Sequence, residues 1–277
     1  MNRLMKSLGL SVMFVLLLCG GSLADELTPF DSLHGEMSIA GGTAHLPVMQ
    51  DAARKIMTRN SQIVITVAGG GSGVGVQKVG EGLVDIGNSG RPVSKKELAK
   101  YSDLVAFPFA VDGVAVVIHP QNPLANLTST QIQDIFAGKI TNWQQLGGSD
   151  GTINIYSRDE ASGTRAVFWK KCLAKGLVAE HANIVPSNGA MKVAISRDAN
   201  AIGYVSIGHI DGSVKAPLFN DVAASQENAV NGSYVVVRKL YMNTKGQPSP
   251  LVQAFITYVL GDESATSIER HGYIPLH

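Results

Sequence analysis

The run Ile63-Val64-Ile65-Thr66-Val67-Ala68-Gly69-Gly70-Gly71-Ser72-Gly73 decides the fold class. Its first five residues are β-branched and read as a strand, and the glycines after them form a turn. A short helix follows through Val76 and Val79. The same order recurs on both sides. Met37 to Ala40 is a short strand that stops at Gly41-Gly42, and Met49, Ala52, Ala53, Ile56 and Met57 recur at helical steps after it. Leu83 to Ile86 reads as another strand, closed by Gly87-Asn88-Ser89-Gly90. Strand, glycine turn and helix in repetition is the pattern of an α/β protein with a mostly parallel sheet.

Further along, Val114 to Ile118 is a strand. Thr128-Ser129-Thr130-Gln131 is a capping box for a helix with Ile132, Ile135 and Phe136 on one face. Ile153 to Tyr156 is a strand that runs into Ser157-Arg158-Asp159-Glu160-Ala161-Ser162-Gly163-Thr164, with a helix after it. Met191 to Ile195 marks a helix, and Ile202 to Val205 and Val235 to Val237 mark strands. Ser249-Pro250 opens a last long helix capped at Gly261.

With 277 residues, 45% hydrophobic and 16% charged, the chain has material for a large core, which excludes wholesale disorder. The 23 basic and 22 acidic residues leave a net charge of +1. No broad cationic field exists to hold nucleic acid or an anionic membrane. Two cysteines cannot make a disulfide framework. Cys172, four residues after Phe168 on a helical face, reads as a buried, inert thiol.

Arg3 and Lys6, then the apolar run Leu8 to Leu18, then Ser22-Leu23-Ala24, form a signal peptide with cleavage expected after Ala24. Removing 24 of the 277 residues would leave 253. Cys19 offers a minor alternative, a lipid-modified N-terminus, although Leu18 stands where that motif wants a small residue. Either reading places the protein in the periplasm.

Three turns pair small residues with a hydroxyl ahead of a helix: Gly41-Gly42-Thr43-Ala44, Gly71-Ser72-Gly73 and Ala161-Ser162-Gly163-Thr164. A helix N-terminus presents unpaired N–H groups and partial positive charge. Glycine lets an anion approach, and Ser and Thr add donors. Arg158 adds a permanently charged fork of donors. Other signatures are absent from the sequence. Val76 stands where a dinucleotide fingerprint needs glycine, and Gly138-Lys139 leads to Ile140 rather than to the Ser or Thr of a P-loop. Ser72 lacks the flanking glycines of a nucleophile elbow. The seven histidines make no metal-binding pair, so neither metal nor cofactor is expected. His45 reads as a surface histidine.

The segments AGGTAHLPV, GGGSGVG, VDIGNSGRPV, IFAGKITNWQQLGG, SRDEASGTRAVF and SNGAMKVAISRDANAIGYV occur here in fixed order. Together they resemble the periplasmic phosphate-binding proteins of phosphate ABC transporters, over essentially the whole mature chain. The resemblance implies a two-lobed clamshell that holds phosphate between discontinuous α/β lobes and delivers it to a membrane permease. Lobe one would be residues 25–112 plus 207–277, and lobe two 113–206. It implies a monomer, no enzymatic activity, and a site built from Thr43, the Ala44 backbone, Ser72, Ser89, Gly90, Arg158, Ser162, Gly163 and Thr164. Asn188-Gly189 would close the rim.

Some relatives carry aspartate directly after the serine of the third loop, where its carboxylate accepts a proton from the ligand and so rejects sulfate. Here that position is Gly90, followed by Arg91. The acceptor is then Glu160 or a backbone carbonyl, unless Glu160 pairs with Arg158 or Arg91; Arg91 is either a ligand or part of a salt bridge behind the loop. A receptor for another tetrahedral oxyanion, a phosphate sensor, and a phosphate-ester hydrolase using Ser72 or Ser162 are the rival functions.

Overall fold

The computed structural model describes residues 25–276; the expected signal peptide, its expected cleavage after Ala24 and Cys19 lie outside the described residues. In chain order the elements are β1 (Gly35–Gly41), α1 (Leu46–Arg59), β2 (Ile63–Gly70), α2 (Ser72–Gly80), β3 (Ile86–Ser89), α3 (Lys95–Lys100) and β4 (Leu104–Ile118). Then come β5 (Asn126–Leu127), α4 (Ser129–Phe136), β6 (Asn154–Ser157), α5 (Gly163–Lys171), β7 (Asn183–Ile184), α6 (Asn188–Arg197), β8 (Ala201–Ser206) and β9 (Leu218–Phe219). The chain ends with α7 (Gln226–Val230), β10 (Val237–Lys245), α8 (Pro250–Val259), α9 (Asp262–Arg270) and β11 (Ile274–Pro275).

One sheet runs in the order β2-β1-β3-β10-β4-β8-β6-β7, with β11 beside β4. At one end β1 lies parallel to β2 and β3, and at the other β6 lies parallel to β7 and β8. The antiparallel strands β10 and β4 join the two ends. Fifteen-residue β4 belongs to both halves: Leu104 to Gly113 pair with β10, and Val114 to Ile118 pair with β8.

Each half has its own core. Phe30, Ile39, Met49, Ile56, Phe109 and Phe255 form one. Val116, Ile132, Phe136, Trp143, Phe168 and Tyr204 form the other. Residues beyond the expected return crossing at 207 pack into the second half: Phe219, Tyr234 and Val236 join its core, and Val214 packs with Met191 and Val117. The Tyr234 hydroxyl donates to the Val114 carbonyl at 2.8 Å.

The local rules explain most boundaries. Thr128 and Gln131 form the expected capping box, and Pro250 opens α8. Cys172 is buried beside Phe168 in the second core, and desolvation pushes its thiol up to about 12, which keeps it protonated. β4 begins at Leu104, well before the Val114 of its sequence reading, while β3 and β10 begin later than theirs. β3 starts at Ile86, because Gly82 at φ +72° and the Leu83 N–H bond to the Lys78 carbonyl keep Leu83 in a turn. β10 starts at Val237, with Val235 left exposed. Gly261 does follow α8, but it also opens α9, whose buried face is largely Ser264, Ser267 and Ile268, too polar to stand out as a helical stripe.

Candidate functional site

The sheet brings the C-terminal ends of β1, β2, β3 and β6 to one cleft between the halves. Each of the three hydroxyl-bearing turns leads from a strand into a helix there. Thr43, Ala44, Gly71, Ser72, Gly90, Arg158, Ser162, Gly163 and Thr164 line one cavity, together with Gly42, His45 and Arg238. Its volume is about 10 Å³, about what one water-sized sphere needs and far below the roughly 300–1,000 Å³ of pockets for drug-sized ligands. A small ion fits that size.

The walls come from both halves and nearly touch. The Gly73 N–H donates to the Ala161 carbonyl at 2.9 Å across the cleft. Gly71 sits at φ +91°, and a Cβ there would lie 2.9 Å from that same carbonyl oxygen. Only glycine satisfies both the conformation and the approach. A Cβ on Gly163 would collide with Ser72 Oγ, so Ser72 on α2 and the first residue of α5 share one corner of the cavity.

Arg158 leaves the end of β6 with only 2% of its surface exposed. Its Nη2 donates to the Pro186 carbonyl at 2.9 Å, while Nε and Nη1 have no partner. Burial lowers its pKa, which the Tyr204 ring and Asp159 oppose. Leaving two donors of a buried guanidinium unpaired is costly, and an anion in the adjoining cavity supplies what they lack.

Arg238, on β10, was not singled out by sequence. Its Nε donates to Asp112 Oδ2 at 2.8 Å and its Nη2 to Thr164 Oγ1 at 3.0 Å, and it is almost fully buried. Burial raises the Asp112 pKa, opposed by Arg238, by the Ser206 hydroxyl, which donates at 2.8 Å, and by the Ile207 backbone. The cavity wall therefore carries two guanidinium groups, not one. No glycine turn flags Arg238, which follows the strand residues Val235 to Val237; alternation about buried Val236 and Leu240 was the one available signal.

The hydroxyls are oriented by what they accept. Thr43 Oγ1 accepts from both the backbone N–H and the Nδ2 of Asn188, at 3.3 and 3.0 Å. Ser72 Oγ accepts from the Gly90 N–H at 2.9 Å, and Ser162 Oγ from the Arg165 N–H at 3.1 Å. Their hydrogens are free to donate elsewhere.

The surface reading of His45 is overturned, and the candidates Glu160, Arg91, Ser89 and Asn188 stand off the cavity wall. His45 is fully buried, not on the surface. Desolvation holds its imidazole down at about 3, helped by the nearby Arg238 charge, so it is neutral. Glu160 is exposed, is absent from the cavity wall, and pairs with neither arginine. Arg91 is held at 2.8 and 2.7 Å by both oxygens of Glu97, the salt bridge behind the loop. Ser89 is buried one residue away from the wall, donating to the Arg91 carbonyl at 2.8 Å and accepting from Asn243. Asn188 also stands off the wall, where its Nδ2 braces Thr43 while its Oδ1 accepts from the Ser206 N–H. Among the described residues, no group of histidine, cysteine and carboxylate side chains could hold a metal ion, and no helix is long and apolar enough to cross a membrane.

A two-lobed α/β sheet with an anion-sized cavity between its halves defines a solute-binding architecture, and known proteins agree. The PBP superfamily domain matches residues 31–263. The phosphate-binding protein PstS of Bacillus subtilis is 33% identical over 272 residues, covering 95% of this chain and 90% of that protein. A crystal structure of a phosphate ABC transporter substrate-binding protein with bound phosphate, from Clostridium perfringens, superposes with a TM-score of 0.82. It is 32% identical, over 88% of this chain and all of that one. An ABC-type phosphate transport receptor from Vibrio cholerae superposes at 0.69 with 30% identity, over 86% of this chain and 99% of that one. The chain belongs to the PBP superfamily and, within it, to the PstS-like solute-binding proteins.

Proposed function

We propose that the protein captures inorganic phosphate in the periplasm, between its two lobes, and delivers it to the permease of a phosphate ABC transporter. The observation that carries this reading is the buried Arg158 guanidinium with Nε and Nη1 unpartnered at the wall of an ion-sized cavity. The names of the relatives support the choice of phosphate. In this reading the ligand is held by Arg158 and Arg238, by the hydroxyls of Thr43, Ser72, Ser162 and Thr164, and by the backbone of Ala44, Gly90 and Gly163. Ser89 and Asn188 support these residues from behind. Lobe one is residues 25–113 plus 237–276 and lobe two is 114–236, with the crossings inside β4 and at the start of β10. The protein acts as a monomer, secreted by cleavage after Ala24.

The relatives are named as binding proteins, and the site suits binding without turnover. Activating Ser72 or Ser162 as a nucleophile requires a base within hydrogen-bond reach. No carboxylate lines the cavity, and the buried imidazole of His45, held near 3, is a poor base at neutral pH. Small-angle scattering with and without phosphate tests the proposal. The radius of gyration should fall on saturation, and phosphate esters incubated with the protein should survive. An unchanged radius would contradict capture by closure, and hydrolysis lost in Ser72→Ala or Ser162→Ala would make the protein an enzyme.

A further inference from the structure

We propose that a groove beside β4 and β10 is a second ligand site, which takes an amphipathic carboxylate and, when filled, holds the two halves together. Both halves line it. Pro92 follows β3, Val111 lies on β4, Val237 and Tyr241 lie on β10, and Val167 lies on α5. Its volume of about 620 Å³ falls within the roughly 300–1,000 Å³ of small-molecule pockets. The cavity at Arg158, at about 10 Å³, is far too small for such a ligand.

Residue periodicity builds the groove. Val237 and Lys239 stand on the face of β10 opposite to buried Arg238 and Leu240, and Lys239 is the cross-strand partner of Val111. Val167, Lys170 and Lys171 share one side of α5 at helical spacing. Val111, Val167, Val237 and Tyr241 are left half-buried, which makes an apolar floor. The rim is basic. Lys170 and Lys239 are exposed, and Lys171 donates to the Val235 carbonyl at 3.0 Å.

No carboxylate lines the groove to offset these charges. Glu97 is taken up by Arg91 at 2.8 and 2.7 Å, and Asp112 is buried against Arg238. Burial, helped by the Lys170 charge, lowers the Lys171 pKa. An apolar floor edged by ammonium groups complements a ligand with a hydrocarbon body and one anionic head. Arg238 lines both this groove and the cavity at Arg158. The groove has its shape with the halves in contact, Gly73 bonded to Ala161. A ligand fitted to it therefore favours that arrangement, and with it the ligand of the cavity, reciprocally. This coupling, unlike the groove itself, rests on the reading of the cavity as a phosphate site.

Calorimetric titration with decanoate, kept below its micelle concentration, tests the site on the protein with and without saturating phosphate. One decanoate should bind per chain, at least about tenfold tighter than hexanoate, since each buried methylene is worth about fourfold. The double variant Lys170→Gln with Lys239→Gln should weaken decanoate about fivefold and leave phosphate binding in the absence of decanoate unchanged. Saturating decanoate should tighten phosphate binding about fivefold, the low end of allosteric coupling. No saturable decanoate binding, or equal affinity for hexanoate and decanoate, overturns the site. Equal affinity for decanol and decanoate, or for decanoate in the parent and the lysine variant, overturns its preference for a carboxylate. A phosphate affinity that decanoate leaves unmoved or lowers overturns the coupling. Decanoate binding to a protein that takes up no phosphate supports the groove and contradicts only the phosphate reading.

Discussion

Thr43 and Asn188 lie 145 positions apart in sequence, on opposite sides of the cleft, and the Asn188 side-chain amide donates to Thr43 Oγ1 at 3.0 Å. The contact latches the two halves and fixes the Thr43 hydroxyl at once. Nearby, a His209 ring nitrogen lies 3.2 Å from the Thr43 carbonyl, so one turn of lobe one is held at two points. Contacts of this kind exist only when the halves meet, and a ligand that touches both halves gains from them.

Replacing Asn188 with alanine removes the side-chain arm of the latch and leaves Thr43 Oγ1 with the backbone N–H of residue 188 as its one donor. Phosphate affinity should fall by about tenfold, the worth of one to two modest hydrogen bonds, with far-UV circular dichroism unchanged. Calorimetric affinities equal to those of the parent would show that the latch does not contribute to binding.

Arg158→Ala should weaken phosphate binding more than any single hydroxyl change. Truncating a desolvated charged partner costs about 2–5 kcal/mol, against about 1–3 for a neutral hydrogen-bond partner. Parallel titrations of Arg158→Ala, Ser72→Ala and Thr164→Ala check the order, and a milder arginine variant would displace Arg158 from the centre of the site.

Removing the charge of Asp112 by Asp112→Asn strips the buried partner from Arg238. Breaking a buried pair on one side costs about 3–5 kcal/mol, so the unfolding midpoint in urea should drop markedly. Saturating phosphate should recover part of the loss, since an anion beside Arg238 supplies the missing negative charge. A midpoint equal to the parent's would mean that Asp112 does not carry the charge.

Buried neutral histidines make the protein acid-sensitive. In the folded state His45 is lowered to about 3 and His209 to about 4, both mainly by desolvation, from an ordinary value of 6.5. Unfolding therefore takes up protons below about pH 6.5. Their contribution to stability is fully present above that value and is lost as pH falls through 6.5 toward 4, at up to about 1.4 kcal/mol per pH unit for each ring. Urea denaturation at a series of pH values should show this slope, reduced in His209→Gln; a flat profile between pH 6.5 and 4 would contradict neutral burial.

Much of this was legible because its signals are local. Strand, glycine turn and helix follow from β-branched runs and small residues, and a helix N-terminus with hydroxyls advertises an anion wherever it lies. Arg158 was legible because it sits in such a turn. Arg238 was not, because a charge at a strand end reads as the solvent face until β4 supplies Asp112 beneath it. His45 has no distinguishing neighbours in sequence, and its burial comes from packing against Phe109, at 5.6 Å between ring centroids. Glu160 looked like the missing acceptor through proximity to Arg158, but the turn points it to solvent. We place the return crossing later than 207 because Val214, Phe219 and Tyr234 pack with the second half, apolar residues that in sequence suit either core.

In the proposed function one phosphate ion is gripped from both lobes, with Arg158 at the centre of the grip. Isothermal titration of the dialysed protein with inorganic phosphate, beside the Arg158→Ala variant, tests it most directly. Saturable binding at one ion per chain is expected, weakened in the variant by about thirtyfold or more, as a loss of at least about 2 kcal/mol requires. No saturable heat, or equal affinity in the two proteins, would contradict it.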